Sequence, residues 1–261
     1  MSIVPKLQSD WFNSNAGQYV QCKEQALYDQ AVFDLFGFNA VQMGCLQMDL
    51  LRNSRIPNRY HASEFSTTDT ADSTFEPQLS CCDDFLPFAD MSLDVLLLPH
   101  RLEFSERPHQ TLREAARVMM PEGHLLISGF NPLSIWGVMA GLNKLLSKNQ
   151  STPWNSRFIG LARLKDWLTL LGFEVTSVKM ACYVPPFEQA SWQKHCAFMD
   201  TYGERYCVIF GGLYFIVAKK RVVGMTPLKP NWKIPTLQSP LVARQPKSNT
   251  SQSKPVQSKP T

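Results

Sequence analysis

The sequence predicts an α/β domain built on a mainly parallel sheet. Short apolar runs of strand character alternate with segments of helical spacing. One run, Leu93–Leu98, is apolar at every position but Asp94 and is stopped by Pro99, as expected of a strand buried on both faces. The chain has 261 residues, 44% of them apolar, which is enough for one sizeable core.

Each element has its own signal. From Tyr19 to Phe36 the spacing is helical, with Leu27, Ala31 and Leu35 at i, i+4 and i+8 and with Tyr28 and Val32 beside them. Gly37-Phe38-Asn39 leads into Ala40–Met43, a buried strand ended by Gly44. Arg59–Phe65 alternates weakly and reads as a second strand, and the Ser-, Thr- and Asp-rich residues 66–76 read as a loop. After the strand at Leu93, Pro108 opens a helix with Leu112, Ala115 or Ala116, and Met119 on one face, and Pro121-Glu122-Gly123 stops it. His124–Ser128 is the next strand. Asn131-Pro132 then supplies an N-cap and N1 pair for a helix carrying Leu133, Trp136, Ala140 and Leu145 or Leu146. Gly137 and Gly141 within it form a packing groove. A further helix, Leu161–Leu171, ends at Gly172 and feeds the strand Phe173–Val178. Tyr206–Phe210 and Leu213–Ala218 are strand-like and are separated by two glycines.

Charge divides the chain. Residues 205–261 hold ten basic residues and no acidic one, whereas residues 1–204 hold 16 basic and 22 acidic. From about Gly224 the composition turns to Pro, Ser, Lys, Gln and Thr, too poor in apolar surface to offset ordering entropy. The expected organisation is an N-terminal extension (1–18), a folded domain (19–222) and a disordered basic tail (223–261). The tail reads as solubilising, with RNA or ribosome contact as the alternative partner; its sparse charge and lack of aromatics after Trp232 leave no stacking platform.

Several classes are excluded. No run of 18 apolar residues occurs and the N-terminus lacks an apolar h-region, so neither a membrane span nor a secretory leader is expected. The seven scattered cysteines contain no Cys-x-x-Cys pair, which points to free thiols in the reducing cytoplasm and to no zinc site. Gly-x-Gly-x-x-Gly, Gly-x-Ser-x-Gly and P-loop patterns are all missing, which leaves nicotinamide, hydrolase and NTPase chemistry unsupported.

In open α/β sheets ligands bind beyond the carboxyl ends of the strands. That rule singles out Gly44, Glu64, Asp83, Pro99-His100 and Gly129–Asn131. A glycine at the end of the first strand lets backbone approach a ligand, and an acid 20 residues later suits ribose hydroxyls.

The middle of the chain is more specific. It runs Asp83-Asp84-Phe85-Leu86-Pro87-Phe88, then Leu93-Asp94-Val95-Leu96-Leu97, then Leu112-Arg113-Glu114-Ala115-Ala116-Arg117-Val118-Met119-Met120-Pro121-Glu122-Gly123. In order and spacing this resembles the class I S-adenosylmethionine-dependent methyltransferases of the type 11 group. The Phe130-Asn131-Pro132 stretch through Gly137 is similar to an uncharacterised bacterial branch of it. The resemblance covers roughly residues 19–222. It implies a Rossmann-like, doubly wound, seven-stranded, mostly parallel sheet with an antiparallel last strand, and S-adenosylmethionine as cofactor. By the family pattern Glu64 holds the ribose, Asp83 and Asp84 face the adenine, Gln42 and Gly44 sit by the methionine moiety, and Pro99 and His100 line the floor. His100 is the candidate general base for an alcohol or acidic-carbon acceptor.

The sequence departs from the family at its first motif, Asp/Glu-x-Gly-x-Gly-x-Gly, which here reads Gln42-Met43-Gly44-Cys45-Leu46-Gln47-Met48. Leu46 and Met48 are expected to place side chains where backbone approaches the cofactor. Two readings follow: a methyltransferase with a small-molecule acceptor, or a methyltransferase-like binding or scaffold module without catalysis.

Overall fold

The computed structural model describes residues 12–45, 47–63, 79–82, 84–146, 158–185, 200, 202–203 and 208–221. Residues 1–223 form one compact unit and residues 224–261 another; the second, with the tail reading, lies outside the described residues.

The first unit is a seven-stranded sheet. Its strands are β1 (Asn39–Met43), β2 (Asn58–Ser63), β3 (Leu79–Ser80), β4 (Leu93–Pro99), β5 (Met119–Phe130), β6 (Phe173–Ala181) and β7 (Leu213–Lys220). The spatial order is β3-β2-β1-β4-β5-β7-β6. All neighbours are parallel except β7, which runs antiparallel to both β5 and β6. This is the doubly wound sheet with an antiparallel last strand that the resemblance implied. The helices are α1 (Asn15–Phe33), the short α2 (Arg101–Phe104), α3 (Pro108–Val118), α4 (Ile135–Leu146) and α5 (Leu161–Leu170).

β4 explains why a parallel strand reads as one apolar run. Val95 and Leu97 pack with Tyr28 and Val32 of α1 on one face. Leu96 and Leu98 pack with Leu112, Ala115, Leu164 and Leu168 of α3 and α5 on the other. Asp94 is the exception with a purpose at the opposite end of the sheet from the candidate site. Its carboxylate accepts from the backbone N–H groups of Phe38 and Asn39 at 2.8 and 2.9 Å and so sets the start of β1. Gly37 stands there because a Cβ would collide with the Asp94 side chain.

The structure moves several boundaries. α1 starts at Asn15, with Ser14 accepting from the Gly17 N–H as its cap, and Phe12 and Ala16 are buried, so residues assigned to an extension pack with the domain. α3 ends at Val118 and Met119 is already extended (φ −77°, ψ 140°), because Pro121 cannot continue a helix and biases the residue before it toward β. Pro121-Glu122-Gly123 therefore lies inside β5 as an irregularity, with Glu122 at φ 66°. α4 is capped by Ser134, whose Oγ accepts from the Gly137 N–H at 3.2 Å, three residues beyond the expected Asn131. Val208–Phe210 forms a 3₁₀ turn instead of a strand. β3 is too short to leave a sequence signal.

Arg117 anchors the Leu86–Asp90 segment to α3. Its guanidinium donates to the carbonyls of Leu86 and Phe88, each at 3.0 Å, to Glu114 at 2.8 Å and to Asp90 at 2.6 Å. Glu114 in turn accepts from the Leu86 N–H at 3.3 Å, and the neighbouring guanidinium holds its carboxyl below the usual range. Asp90 is exposed and contributes little; the fork to Glu114 and two carbonyls carries the effect. Arg117→Ala should lower the urea midpoint by the equivalent of about 2 kcal/mol, and Arg117→Lys should recover only part of it. An unchanged midpoint in the alanine variant would refute the anchoring role.

Candidate functional site

The chain runs outward from β1 to β2 and β3, then returns to β4 on the other side of β1. That reversal falls between the carboxyl ends of β1 and β4, the place where open α/β sheets carry their ligand crevice. At its centre Gly44 is left-handed (φ 77°), and its N–H donates to the Ala62 carbonyl at 2.8 Å. A Cβ built on Gly44 would meet nothing nearer than Arg101 Cδ at 3.6 Å and Nη1 at 3.9 Å. The turn thus presents a bare backbone face, bordered by a guanidinium. Cys45 follows, also left-handed (φ 52°).

Gln42 does not face the crevice as expected. It is fully buried, and its carboxamide organises the turn that follows. The NH₂ donates to the carbonyls of Gly44 (3.2 Å), Cys45 (3.2 Å) and Met48 (2.8 Å), and Oε1 accepts from the Leu50 N–H (2.9 Å). An amide suits this because it donates and accepts at once, which a carboxylate cannot. Met48 also departs from expectation: it turns into the core beside Tyr28, Leu50 and Val95. Leu46, Glu64, Asp83 and Tyr206 lie outside the described residues. Asp84 is half-exposed, with Arg107 at 3.8 Å. Pro99 closes β4 and is buried.

His100 follows Pro99 in a left-handed conformation (φ 51°, ψ 12°) and is fully buried. Its backbone N–H donates to the Ser128 carbonyl at 3.0 Å. Two carboxylates flank its ring: Glu103 lies 3.1 Å from Nδ1, and Glu24, from α1, lies 3.4 Å from Nε2. Glu24 also accepts from the Ser128 hydroxyl, which lies 3.1 Å from the Tyr28 hydroxyl, and Glu103 accepts from the Phe130 backbone N–H. Phe12 and Phe130 cover the imidazole with ring centroids at 5.8 and 4.5 Å. Gly129 is required at this point of β5, since a Cβ would collide with the Tyr214 hydroxyl and press on Glu103.

Burial by itself pushes the His100 imidazole down; Glu24 and Glu103 outweigh it and hold the group up at about 10. Burial raises the Glu103 carboxyl above its usual range, opposed by His100 and the Phe130 N–H. Burial and Glu103 together raise the Tyr214 hydroxyl, which has no hydrogen-bond partner among the described residues. His100, expected as a general base, is thus fully buried with a carboxylate beside each ring nitrogen.

Sequence reasoning missed Glu24, Glu103, Ser128 and Tyr28 as members of one cluster. The buried stripe of α1 runs Val20, Glu24, Tyr28 and Val32, one residue away from the apolar stripe read at Leu27, Ala31 and Leu35. The i+4 spacing of those four was available as a signal, but the acid at its centre hides it from an apolar periodicity.

Comparisons with known proteins agree with this architecture. The family profile described as "Methyltransferase domain" matches residues 48–127, from the turn after β1 into β5. Among solved structures, an S-adenosylmethionine-dependent methyltransferase from Thermotoga maritima superposes with a TM-score of 0.57 at 21% identity, covering 82% of this chain and 94% of that one. One from Archaeoglobus fulgidus gives 0.51 at 18%, covering 75% and 92%. The [4+2]-cyclase SpnF gives 0.51 at 19%, covering 77% and 80%. A curated relative, the uncharacterized protein YafS of Escherichia coli (strain K12), is 42% identical over 147 residues, 55% of this chain. The chain spans about half the length of that relative (56%). The resemblance to type 11 class I methyltransferases therefore holds, and with it the fold.

The cluster predicts a definite pH dependence. The folded-state pKa of His100 is raised, so its stabilisation is complete below about 6.5 and is lost as pH rises through about 10. The raised Glu103 adds a loss of the same sign that begins above its unfolded value. Denaturation midpoints of the wild type should fall from pH 6.5 to 10, and His100→Gln should flatten that slope. Glu24→Ala should cost about 3–5 kcal/mol at pH 7 by leaving the imidazolium half-paired. A wild-type midpoint that does not fall over this window would contradict the charged His100.

Proposed function

We propose, on the premise of a class I methyltransferase fold, that the chain binds S-adenosylmethionine across the reversal point of the sheet and directs its methyl group to a small-molecule acceptor. The observation that carries this reading is the bare left-handed face of Gly44 at that point, where a side chain would fill the space a ligand needs. When bound, the cofactor supplies the electrophilic methyl of its sulfonium. Of the described residues, Gly44 would border its methionine end and Pro99 the floor beneath the transferred group. Gln42 is not among its holders, since its carboxamide is already engaged with the turn.

The protein's share of the chemistry is alignment and exclusion of water. His100 offers no neutral imidazole here, because it is held charged. An acceptor with a nucleophile that has a free electron pair at working pH, such as an amine, a thiolate, a phenolate or a stabilised carbanion, suits such a site. The five described cysteines are all free thiols, which supports a setting in the reducing cytoplasm.

A second reading, a binding module without catalysis, is favoured by one specific observation: the family's acid at position 42 is an amide turned inward. Calorimetry with S-adenosylhomocysteine separates the two. The wild type should bind with a micromolar Kd, and Gly44→Val should weaken binding by about tenfold or more through αL strain and loss of the bare face. No heat at millimolar ligand would sink the enzyme reading and leave the module.

A further inference from the structure

We propose that Arg101 makes recognition at the Gly44 turn carboxylate-led: the site selects its ligand by an α-carboxylate, not by the ammonium that an acid at position 42 would hold. The inference rests on the reading that S-adenosylmethionine lies across Gly44, and it names the group of that ligand which the chain grips.

The placement of Arg101 is built by its neighbours. His100 leaves β4 in the left-handed region, its backbone N–H tied to the Ser128 carbonyl at 3.0 Å, and α2 begins at the next residue. Leu102 then enters the core with Leu98 and Leu112, and Glu103 turns to the His100 ring. Arg101, half-buried ahead of them, goes to the Gly44 side. Its Cδ lies 3.6 Å and its Nη1 3.9 Å from the point where a Cβ on Gly44 would stand. The Ser105 N–H donates to its carbonyl at 3.1 Å, so the stem that carries the guanidinium is fixed at both ends of the short helix.

The charges along the turn favour an anion. Position 42 is an amide whose Nε2 and Oε1 are engaged with the turn itself. Burial, reinforced by Glu24, raises the Cys45 thiol, and Arg101 only opposes that rise, so position 45 brings no thiolate. Asp49, the acid that follows, accepts from the Leu51 N–H at 3.0 Å and lies 3.4 Å from His61 Nε2. Of these groups Arg101 is the one that brings charge to the bare face of Gly44. A guanidinium presents several donors in a planar fork that matches a carboxylate, so a bond to the chain leaves others for a ligand. Charge-assisted bonds of this kind are stronger than neutral ones. An ammonium at the same place would meet a like charge, and no acid from position 42. A thioether or sulfonium nucleoside whose tail carries a carboxylate therefore suits this turn, and one whose tail carries only an amine does not.

The test is calorimetry on the full chain with S-adenosylhomocysteine, its analogue lacking only the carboxylate and its analogue lacking only the ammonium. The wild type should bind S-adenosylhomocysteine and the analogue without the ammonium alike, and the decarboxylated analogue about tenfold or more weaker. Arg101→Gln should weaken both carboxylate-bearing ligands by that factor and leave the decarboxylated one unchanged. Arg101→Lys, which keeps the charge without the fork, should recover only part of the loss. Should a variant melt early, the ligand series on the wild type decides the matter by itself. A wild type that binds the decarboxylated analogue as tightly as S-adenosylhomocysteine would overturn the proposal and leave the methyltransferase reading standing. Loss of affinity confined to the analogue without its ammonium would do the same, as would an Arg101→Gln that binds every ligand as the wild type does. A wild type that takes none of these ligands would overturn both.

Discussion

A charged imidazole locked between two carboxylates inside the protein governs the carboxyl rim of this sheet. Glu24 comes from α1, His100 from the end of β4 and Glu103 from the turn after it. Removing three such groups from water is expensive, and their mutual attraction offsets that only when the remaining lone pairs and protons are met. The surroundings meet most of them: Ser128 and the Phe130 N–H donate inward, and His100 takes its strained left-handed conformation to reach both acids. The consequences spread through the fold. β5 needs Gly129 to pass the cluster, α1 must present Glu24 from its buried stripe, and Phe12 must cover the ring. Residues 12–18 belong with the domain for that reason.

The first turn of the sheet rests on an equally economical device. Related proteins place an acid and several glycines there; this chain has Gln42 and Gly44 alone. The carboxamide bridges the turn, its two N–H groups shared among the carbonyls of Gly44, Cys45 and Met48 and its Oε1 accepting from the Leu50 N–H. The electrostatic result is that position 42 brings no negative charge to the turn, and Arg101 lies against the bare face of Gly44. A cofactor bearing ammonium and sulfonium charges would forgo a charge-assisted bond there, a loss of about 1.5–3 kcal/mol. Its carboxylate would find the guanidinium on the same side.

Much of the architecture was legible because it rests on local rules. Gly44, Pro99 and Gly172 end elements where their backbone geometry demands it, and β4 reads as apolar because both of its faces are covered. The misses share a cause. Met119 and Val208–Phe210 look apolar and periodic, yet Pro121 and the Asn131 side chain decide their backbone. The family pattern says what position 42 usually holds, but which way its amide turns depends on the carbonyls packed around it. Glu24 and Glu103 are separated by 79 positions and carry no motif; only the packing of α1 on the strand ends makes them one site. The two flanking carboxylates, working against burial, are what hold His100 in its charged form.

That charge bears on what the fold can do. The same architecture supports a methyltransferase from Thermotoga maritima and the [4+2]-cyclase SpnF, so the sheet by itself selects no reaction. Selection must come from groups at the rim. Here the inner floor is a sealed ion cluster that neither accepts a proton nor meets solvent, while the outer edge at α4 and the 3₁₀ turn is apolar and exposed. A hydroxyl acceptor that needs deprotonation finds no partner in that sealed cluster. An acceptor already nucleophilic needs only a dry approach and correct alignment, both of which an apolar edge beside a rigid floor can provide.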